Sequence, residues 1–566
     1  MTEMSRYIFV TGGVCSSLGK GVAAASIGSL LELRGLNVQM IKIDPYINVD
    51  AGTMNPYQHG EVYVTDDGAE TDLDLGNYAR FTKARLTHRN SVTTGQIYQE
   101  VIRKEREGKY LGRCVQVIPH VTDEIKSRIL AVGEQHGVDV TIAEIGGTVG
   151  DIESIPFLEA ARQFIHDVGR RRVLFIHLTL VPMVGEGEHK TKPTQHSAKA
   201  LLELGIQPDI LLCRSNEPLD DAMKQKIALF TNVEEEAVIS AYDVKTTIYE
   251  IPLVFSLQKL DEIILDRLGM DCLKGDLSVW EKPYNTYRMA STTVRIGIVG
   301  KYLYVHDSYK SIYEALLHAG FANHCRTHFV KISSEELEQE ERIGQAFADV
   351  DGVLIPGGFG SRGIDGMIHA ARYARENDRP YFGICLGMQV MIIEYARSVL
   401  HLSDANSTEF APETKNAVVS LLEEQQALKV MGGTMRLGRR ESLLVRGTRL
   451  HKIYGRDRIY ERHRHRYEVS NLYRGKLEEA GLLVSATSPD GGLVEAVEWP
   501  EHPWGIGVQF HPEFISTPSA ASPLFSSFVA ACKLRAEKTA GGQCAGQEPQ
   551  VAAEQKRVAQ TQGRPI

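Results

Sequence analysis

The sequence predicts an α/β protein made of two doubly wound domains, and three observations carry that reading. A short β-rich run, a glycine turn and an apolar helix follow one another twice, first from Tyr7 and again from Val294. Helical patterns separate most of the other strand-like runs, which favours parallel sheets. A length of 566 residues suggests about two to four domains at ~150 residues each.

The first domain is expected over residues 1–270. Tyr7 to Val10 reads as its opening strand, Thr11 to Lys20 as a loop, and Gly21 to Leu33 as an apolar helix stopped by Gly35. Val38 to Ile43, Val138 to Ile145, Val173 to Leu180, Ile210 to Cys213 and Pro252 to Phe255 read as further strands. Residues 271–293 are polar without clear periodicity and read as a linker. The second domain, expected over 294–536, opens on Val294 to Gly300 and continues with strands at Gly352 to Ile355, Tyr381 to Ile384 and Gly505 to Phe510. From Glu537 onward there is no aromatic residue and no leucine. Such a segment cannot bury enough apolar area to offset its ordering entropy, so 537–566 reads as a disordered tail.

Lys plus Arg number 63 against 72 Asp plus Glu, a net charge of −9 that lacks the overall basic footprint of a nucleic-acid binder. No apolar run reaches the ~18–20 residues that cross a bilayer. The longest, Val173 to Val184, is interrupted by His177 and Pro182. The N-terminal residues lack the pattern of a cleavable signal. The 8 cysteines are scattered singly without a CxxC pair, which supports neither a zinc site nor a disulfide framework. A cytoplasmic enzyme is expected, with neither a nucleic-acid nor a membrane partner.

Gly12 to Gly21 lies between a strand and a helix, where backbone N–H groups and the helix N-terminus suit phosphates. Lys20 would neutralise a transferred phosphoryl group. The match to GxxxxGK[ST] is imperfect, because the glycine spacing is stretched and Gly21 replaces the usual metal-binding hydroxyl. Taken alone, the segment reads equally well as a plain strand-to-helix turn. With no hydroxyl, carboxylates must hold the metal. The acidic stretch Asp66 to Asp74 supplies several, and Glu144 ends a strand just before a second glycine loop, Gly146 to Glu153. Lys190 to Ser197 suits a second set of phosphates or, equally, a basic helix cap.

Gly383-Ile384-Cys385-Leu386-Gly387 resembles a nucleophile elbow with sulfur in place of oxygen. Gly357 to Gly360 could present backbone N–H groups to an oxyanion. His511 and Glu513, two residues apart, supply a base and its orienting acid for covalent acyl transfer. Arg466 offers a planar fork for a substrate carboxylate.

Together these motifs, with Asp44 to Asp50, Gly68 to Gly76, Gly432 to Gly438 and Glu461 to Glu468, resemble the CTP synthase family of glutamine-dependent ligases, from about Tyr7 to about Leu534. The resemblance implies a P-loop-like synthetase domain followed by a class I glutaminase domain, aminating UTP to CTP with ATP and with ammonia from glutamine. It implies ATP on Ser17, Leu18, Gly19, Lys20, Gly21, Val22 and Asp74, with Mg2+ on Asp74 and Glu144. UTP, or CTP as feedback inhibitor, would meet Ser16, Asp151, Ile152, Glu153, Lys190, Thr191, Lys192, Pro193, Thr194, Gln195 and Lys226. Cys385, His511 and Glu513 would form the glutaminase triad, and Gly358, Leu386, Gly387, Met388, Gln389, Glu409 and Arg466 would position glutamine. It further implies an ammonia passage near His59, activation by GTP and a homotetramer.

Departures from the family pattern are Ala51 where proline is usual, a shortened Met183 to His189, a missing segment before Gly432 and an unmatched tail after Lys538. Another two-domain amidoligase, or a nucleotide-binding scaffold with a vestigial glutaminase half, are the alternatives. The Gly68 to Gly76 and Lys190 to Ser197 motifs oppose the first, and the intact Cys385, His511 and Glu513 set opposes the second.

Overall fold

The computed structural model describes residues 5–421 and 435–539, apart from 136, 186 and 272. Among these, seven strands form an all-parallel sheet in the spatial order Val238–Tyr242, Ile210–Ser215, Val173–Leu180, Arg6–Gly12, Val140–Ile145, Val38–Asp44 and Ser91–Thr93. Val38–Asp44 is buried at every position, as expected of a strand covered by helices on both faces. The opening strand Arg6–Gly12 sits between two strands that come much later in the chain. Its carboxyl end, with those of Val38–Asp44 and Val140–Ile145, therefore forms a crevice of the kind where open α/β sheets hold ligands.

The second sheet has nine strands among the described residues. Five are parallel, in the order Arg326–Ser333, Thr293–Gly300, Gly352–Ile355, Tyr381–Ile384 and Gly505–Val508. The other four, Val494–Glu498, Leu483–Thr487, Arg436–Leu444 and Arg458–His465, are antiparallel and carry the chain towards the first domain.

Three expectations change. Pro252 to Phe255 belongs to the helix Ile251–Leu257, where Pro252 sits in the first turn and its missing N–H costs nothing. The edge strand is instead Val238–Tyr242. Residues 278–289 of the expected linker form the helix Ser278–Met289, in which buried Trp280 lies against Phe81 and Tyr249 at ring separations of 5.2 and 6.0 Å. Its indole N–H donates to Ser29 Oγ at 3.0 Å. A helix over 523–539 buries Phe525, Phe528 and Cys532, so residues 537–539 are helical. The rest of the expected tail, 540–566, lies outside the described residues, as do 422–434, which contain the shortened segment before Gly432.

Met183–Val184 pairs antiparallel with Glu188–His189. Ala51 donates its backbone N–H to the Glu70 carbonyl at 3.3 Å, a bond that proline could not make. The domains meet along a polar seam. Arg462 Nε donates to Asp66 at 2.6 Å, Arg464 Nε to Glu70 at 2.8 Å, and Tyr57 Oη to the Lys301 carbonyl at 2.8 Å.

Candidate functional site

Two cavities at the seam gather most of the candidate residues. The first, of about 530 Å³, is lined by Ser16 to Val22, Lys42, Asp44, His59, Asp72, Asp74, Glu144 and Glu153, and by Asp307 and Lys310 from the second domain. It lies at the carboxyl edge of the parallel sheet. Gly19 takes a φ of +89°, and Ser17 a φ of +60°, which wraps the loop onto the helix Lys20–Leu33. Lys20 Nζ donates to the Gly147 carbonyl at 2.8 Å and so ties both glycine loops together. Burial, helped by Lys42, lowers the Lys20 pKa.

The unusual Gly21 has a steric cause. A Cβ at this position would collide with the Asp74 carboxylate, which fills the space a hydroxyl would need. Asp74 Oδ1 accepts from Asn77 Nδ2 at 3.0 Å, and its other oxygen pairs with Lys42. The Lys42 ammonium also reaches Glu144 at 2.9 Å and Asp44 at 3.7 Å. Although burial opposes it, this ring of carboxylates raises the Lys42 pKa. Among the described residues, no group of three or more His, Cys, Asp or Glu side chains is arranged to hold a metal ion. Asp74 and Glu144 instead converge on one cation, Lys42, and that donor set fits a magnesium ion completed by phosphate oxygens and water. Lys42 was missed from the sequence; its signal was a lysine inside the otherwise apolar strand around Met40, Ile41 and Ile43.

Leu18, Gly19 and Val22 also line an apolar cavity of about 150 Å³, together with Arg214, Tyr242, Ile248 and Val254. Leu18, Gly19 and Val22 belong to the glycine loop the sequence marks, whereas Arg214, Tyr242, Ile248 and Val254 carry no motif a sequence could show.

The remaining nucleotide candidates are not among the residues lining the phosphate cavity. Asp151, Ile152, Lys192 and Lys226 are exposed, Ile152 to 82%. Lys190 pairs with Glu188 at 2.6 Å, and Lys192 lies 5.9 Å over the Phe230 ring. Pro193 is in the first turn of the helix Lys192–Glu203. Thr194 has a fully buried side chain that donates to the Leu180 carbonyl at 3.0 Å. Gln195 donates to Thr191 Oγ1 at 3.1 Å.

The second cavity, of about 320 Å³, is lined by Gly357, Gly358, Cys385, Arg464, Arg466, His511 and Glu513, and from the first domain by Gly52 to Met54, Pro56, Glu61 and Val62. Cys385 joins the strand Tyr381–Ile384 to the helix Leu386–Ser398 with φ +53° and ψ −101°. Flanking glycines permit this turn, since a Cβ on Gly383 would fall 2.6 Å from the Gly387 carbonyl carbon and one on Gly387 would strike the Ile355 carbonyl. Cys385 Sγ faces the Arg464 carbonyl at 3.8 Å, and Gln509 Nε2 donates to the sulfur at 3.7 Å.

His511 Nδ1 donates to Glu513 Oε1 at 2.7 Å, and the ring stacks on Phe514. Burial disfavours the imidazolium, but Glu513 and the Cys385 sulfur overcome it and raise the His511 pKa to about 10. A Cβ on Gly357 would lie 2.9 Å from His511 Cε1 and 3.6 Å from Cys385 Cβ, so this glycine lets the loop Gly357 to Gly360 approach both side chains closely. Glu409 accepts from the Gly360 N–H at 2.7 Å, and Lys301 Nζ donates to the Phe359 carbonyl at 3.2 Å, bracing that loop. Leu386 and Met388 are core residues, which leaves only their backbone for a ligand, and Gln389 donates to the Tyr467 carbonyl at 3.2 Å. The short segment between the cavities has His59 on the phosphate side and Glu61 on the thiol side.

This pairing of sites agrees with what the chain is similar to. Residues 6–270 match the family model for the CTP synthase N-terminus, and 304–531 match that for class I glutamine amidotransferase. A CTP synthase of Carboxydothermus hydrogenoformans is 55% identical over 529 residues, 93% of this chain and 98% of that protein. A solved glutaminase domain of Trypanosoma brucei CTPS with bound acivicin is 43% identical over 42% of this chain and 93% of that one, with a TM-score of 0.41. With both domains matched and most positions shared along nearly the whole length of a relative, the chain belongs to the CTP synthase family.

Proposed function

We infer that the protein aminates UTP to CTP in pyrimidine nucleotide synthesis, spending ATP and taking ammonia from glutamine. The observation that carries this reading is one cavity bearing Cys385, His511 and Glu513 that is walled by Gly52 to Met54, Pro56, Glu61 and Val62 of the synthetase domain. A glutaminase so placed releases its product against the synthetase domain.

Cys385 sulfur attacks the glutamine carboxamide, forming a C–S bond while the oxygen takes negative charge beside the Gly357–Gly358 backbone. The His511 imidazolium, held by Glu513, protonates the departing nitrogen, and ammonia leaves. His511 then takes a proton from water, which hydrolyses the thioester to glutamate. Arg466 and Glu409 suit the carboxylate and ammonium of the free amino acid. In the other cavity the uracil O4 attacks the γ-phosphate of ATP, with Lys20 beside the phosphates and ADP leaving. Ammonia adds to C4 and phosphate departs, giving CTP. Asp74 and Glu144 would hold magnesium, which when bound offsets phosphate charge.

Ser16, Asp151, Ile152, Glu153, Lys190, Thr191, Lys192, Pro193, Thr194, Gln195 and Lys226 are our candidates for UTP and for CTP as inhibitor. The exposure of several of them fits a uridine site completed by another subunit of a homotetramer. GTP activation and a cytoplasmic setting complete the proposal. Among the described residues, no helix is long and apolar enough to cross a membrane.

The test is Cys385→Ala. Synthesis from glutamine should fall by several orders of magnitude, since triad members act as a unit, while synthesis from ammonium persists. Loss of both activities in a folded variant would refute the assignment.

A further inference from the structure

Building on the two-site reading above, we propose that Arg80 is a positioning residue that links the phosphate cavity to the thiol cavity through one unbroken hydrogen-bonded chain. The helix Asp74–Phe81 begins at the phosphate cavity and ends at the domain seam. At its start, Asp74 Oδ1 accepts from Asn77 Nδ2 at 3.0 Å. One turn on, Asn77 Oδ1 accepts from Arg80 Nη2 at 2.9 Å. The other arm of the same guanidinium, Nη1, crosses the seam and donates to Ser311 Oγ at 3.0 Å. Ser311 passes the link back: its hydroxyl donates to Glu61 Oε1 and its backbone N–H to Glu61 Oε2 at 2.8 Å. Glu61 lines the thiol cavity in company with Cys385 and Glu513.

Three properties make this chain a coupling element. Asn77, Arg80 and Ser311 are buried, so a link that breaks finds no water to replace it, and the alternatives are discrete. The guanidinium is a rigid planar fork, so its two arms cannot reorient independently, as two ammonium protons on a flexible stem can. The ends of the chain are also electrically alert. Burial raises the Glu61 pKa to about 7, with the Arg80 charge and the Ser311 bonds pulling it down and Glu513 pushing it up. A shift of Asp74 when nucleotide fills the phosphate cavity is thus passed, through Asn77 and both arms of Arg80, to the carboxylate facing the triad. The consequence is that glutamine hydrolysis responds to nucleotide on the far side of the seam.

The experiment measures kcat/KM for glutamine hydrolysis by the full-length protein, by glutamate release, with and without saturating ATP, UTP and magnesium. The ratio of the two is the coupling factor. Wild type should give a factor of ~5 or more, the lower end of ordinary allosteric coupling. Ser311→Ala keeps the backbone bond to Glu61 and removes only the hydroxyl link. It should bring the factor to within about twofold of one, while nucleotide-free hydrolysis and CTP formation from ammonium stay within about threefold of wild type. Arg80→Lys should do the same, and the double variant should lose no more than either single one, because both act on one chain. Melting temperatures show which variants are folded. A wild-type factor of one overturns the proposal, as does a folded Ser311→Ala that keeps the wild-type factor. So does a variant whose nucleotide-free rate falls while its factor is unchanged, because that marks a structural role alone. Failure of the wild type to make CTP from ammonium strikes the functional reading itself and is told apart by that assay.

Discussion

Cys385 and Lys42 show how unevenly chemistry is written along a chain. Cys385 announces itself, because the glycines two residues either side of it are the ones its turn requires. Lys42 shows locally only as a lysine within an apolar strand, since its role depends on Asp74 and Glu144, residues remote in sequence that the fold brings together. His511 permits a test at this scale. Its pKa is raised to about 10, so the stability it contributes is complete below the ordinary value of 6.5 and is lost as pH rises through about 10. Glu513→Gln removes the charge that holds the imidazolium. The alkaline limb of glutamine hydrolysis should then move to lower pH, and kcat should fall by ~10²–10⁴. A pH profile at saturating glutamine checks this, and an unmoved alkaline limb would exclude Glu513 as the orienting acid.

Elements with a strong local signal were legible: the strand–glycine–helix units stand where their periodicity puts them. The failures have physical reasons. Pro252 to Phe255 is too short an apolar run for its period to separate strand from helix, and the deciding fact is that Pro252 sits harmlessly in a first helical turn. The antiparallel strands Arg436–Leu444 and Arg458–His465 are rich in arginine and histidine because they carry seam and site residues, which hides their alternation. The helix Ser278–Met289 is anchored mainly by one indole, too little to make a periodic stripe. Trp280→Ala removes that anchor and its bond to Ser29, and should cost ~3–5 kcal/mol of stability. Thermal or denaturant unfolding measures it. A change under about 1 kcal/mol, the usual surface effect, would mean that this segment behaves as the simple connector its composition suggests.

At the scale of the whole molecule, the arrangement turns on the seam. Arg462 and Arg464 lie on the same strand as the thiol cavity's wall and hold Asp66 and Glu70 of the other domain. Weakening that grip should leave each site competent and the transfer between them leaky. Asp66→Ala with Glu70→Ala should keep glutamine hydrolysis and ammonium-driven synthesis near wild type. The number of glutamates released per CTP formed should rise clearly above one. Measuring both products in one reaction decides it, and an unchanged ratio would show that these pairs do not seal the passage.

The strained turn at Cys385 has a temporal consequence. Its backbone is held by the Val508 carbonyl, and its partners His511 and Glu513 come later still, close to the end of the described chain. A ribosome releases the synthetase half long before any of these exist, and domains generally fold in that order. The thiol cannot take its reactive pose until the final strand has docked. On the proposed assignment, glutamine hydrolysis therefore switches on last, after the synthetase half has been made.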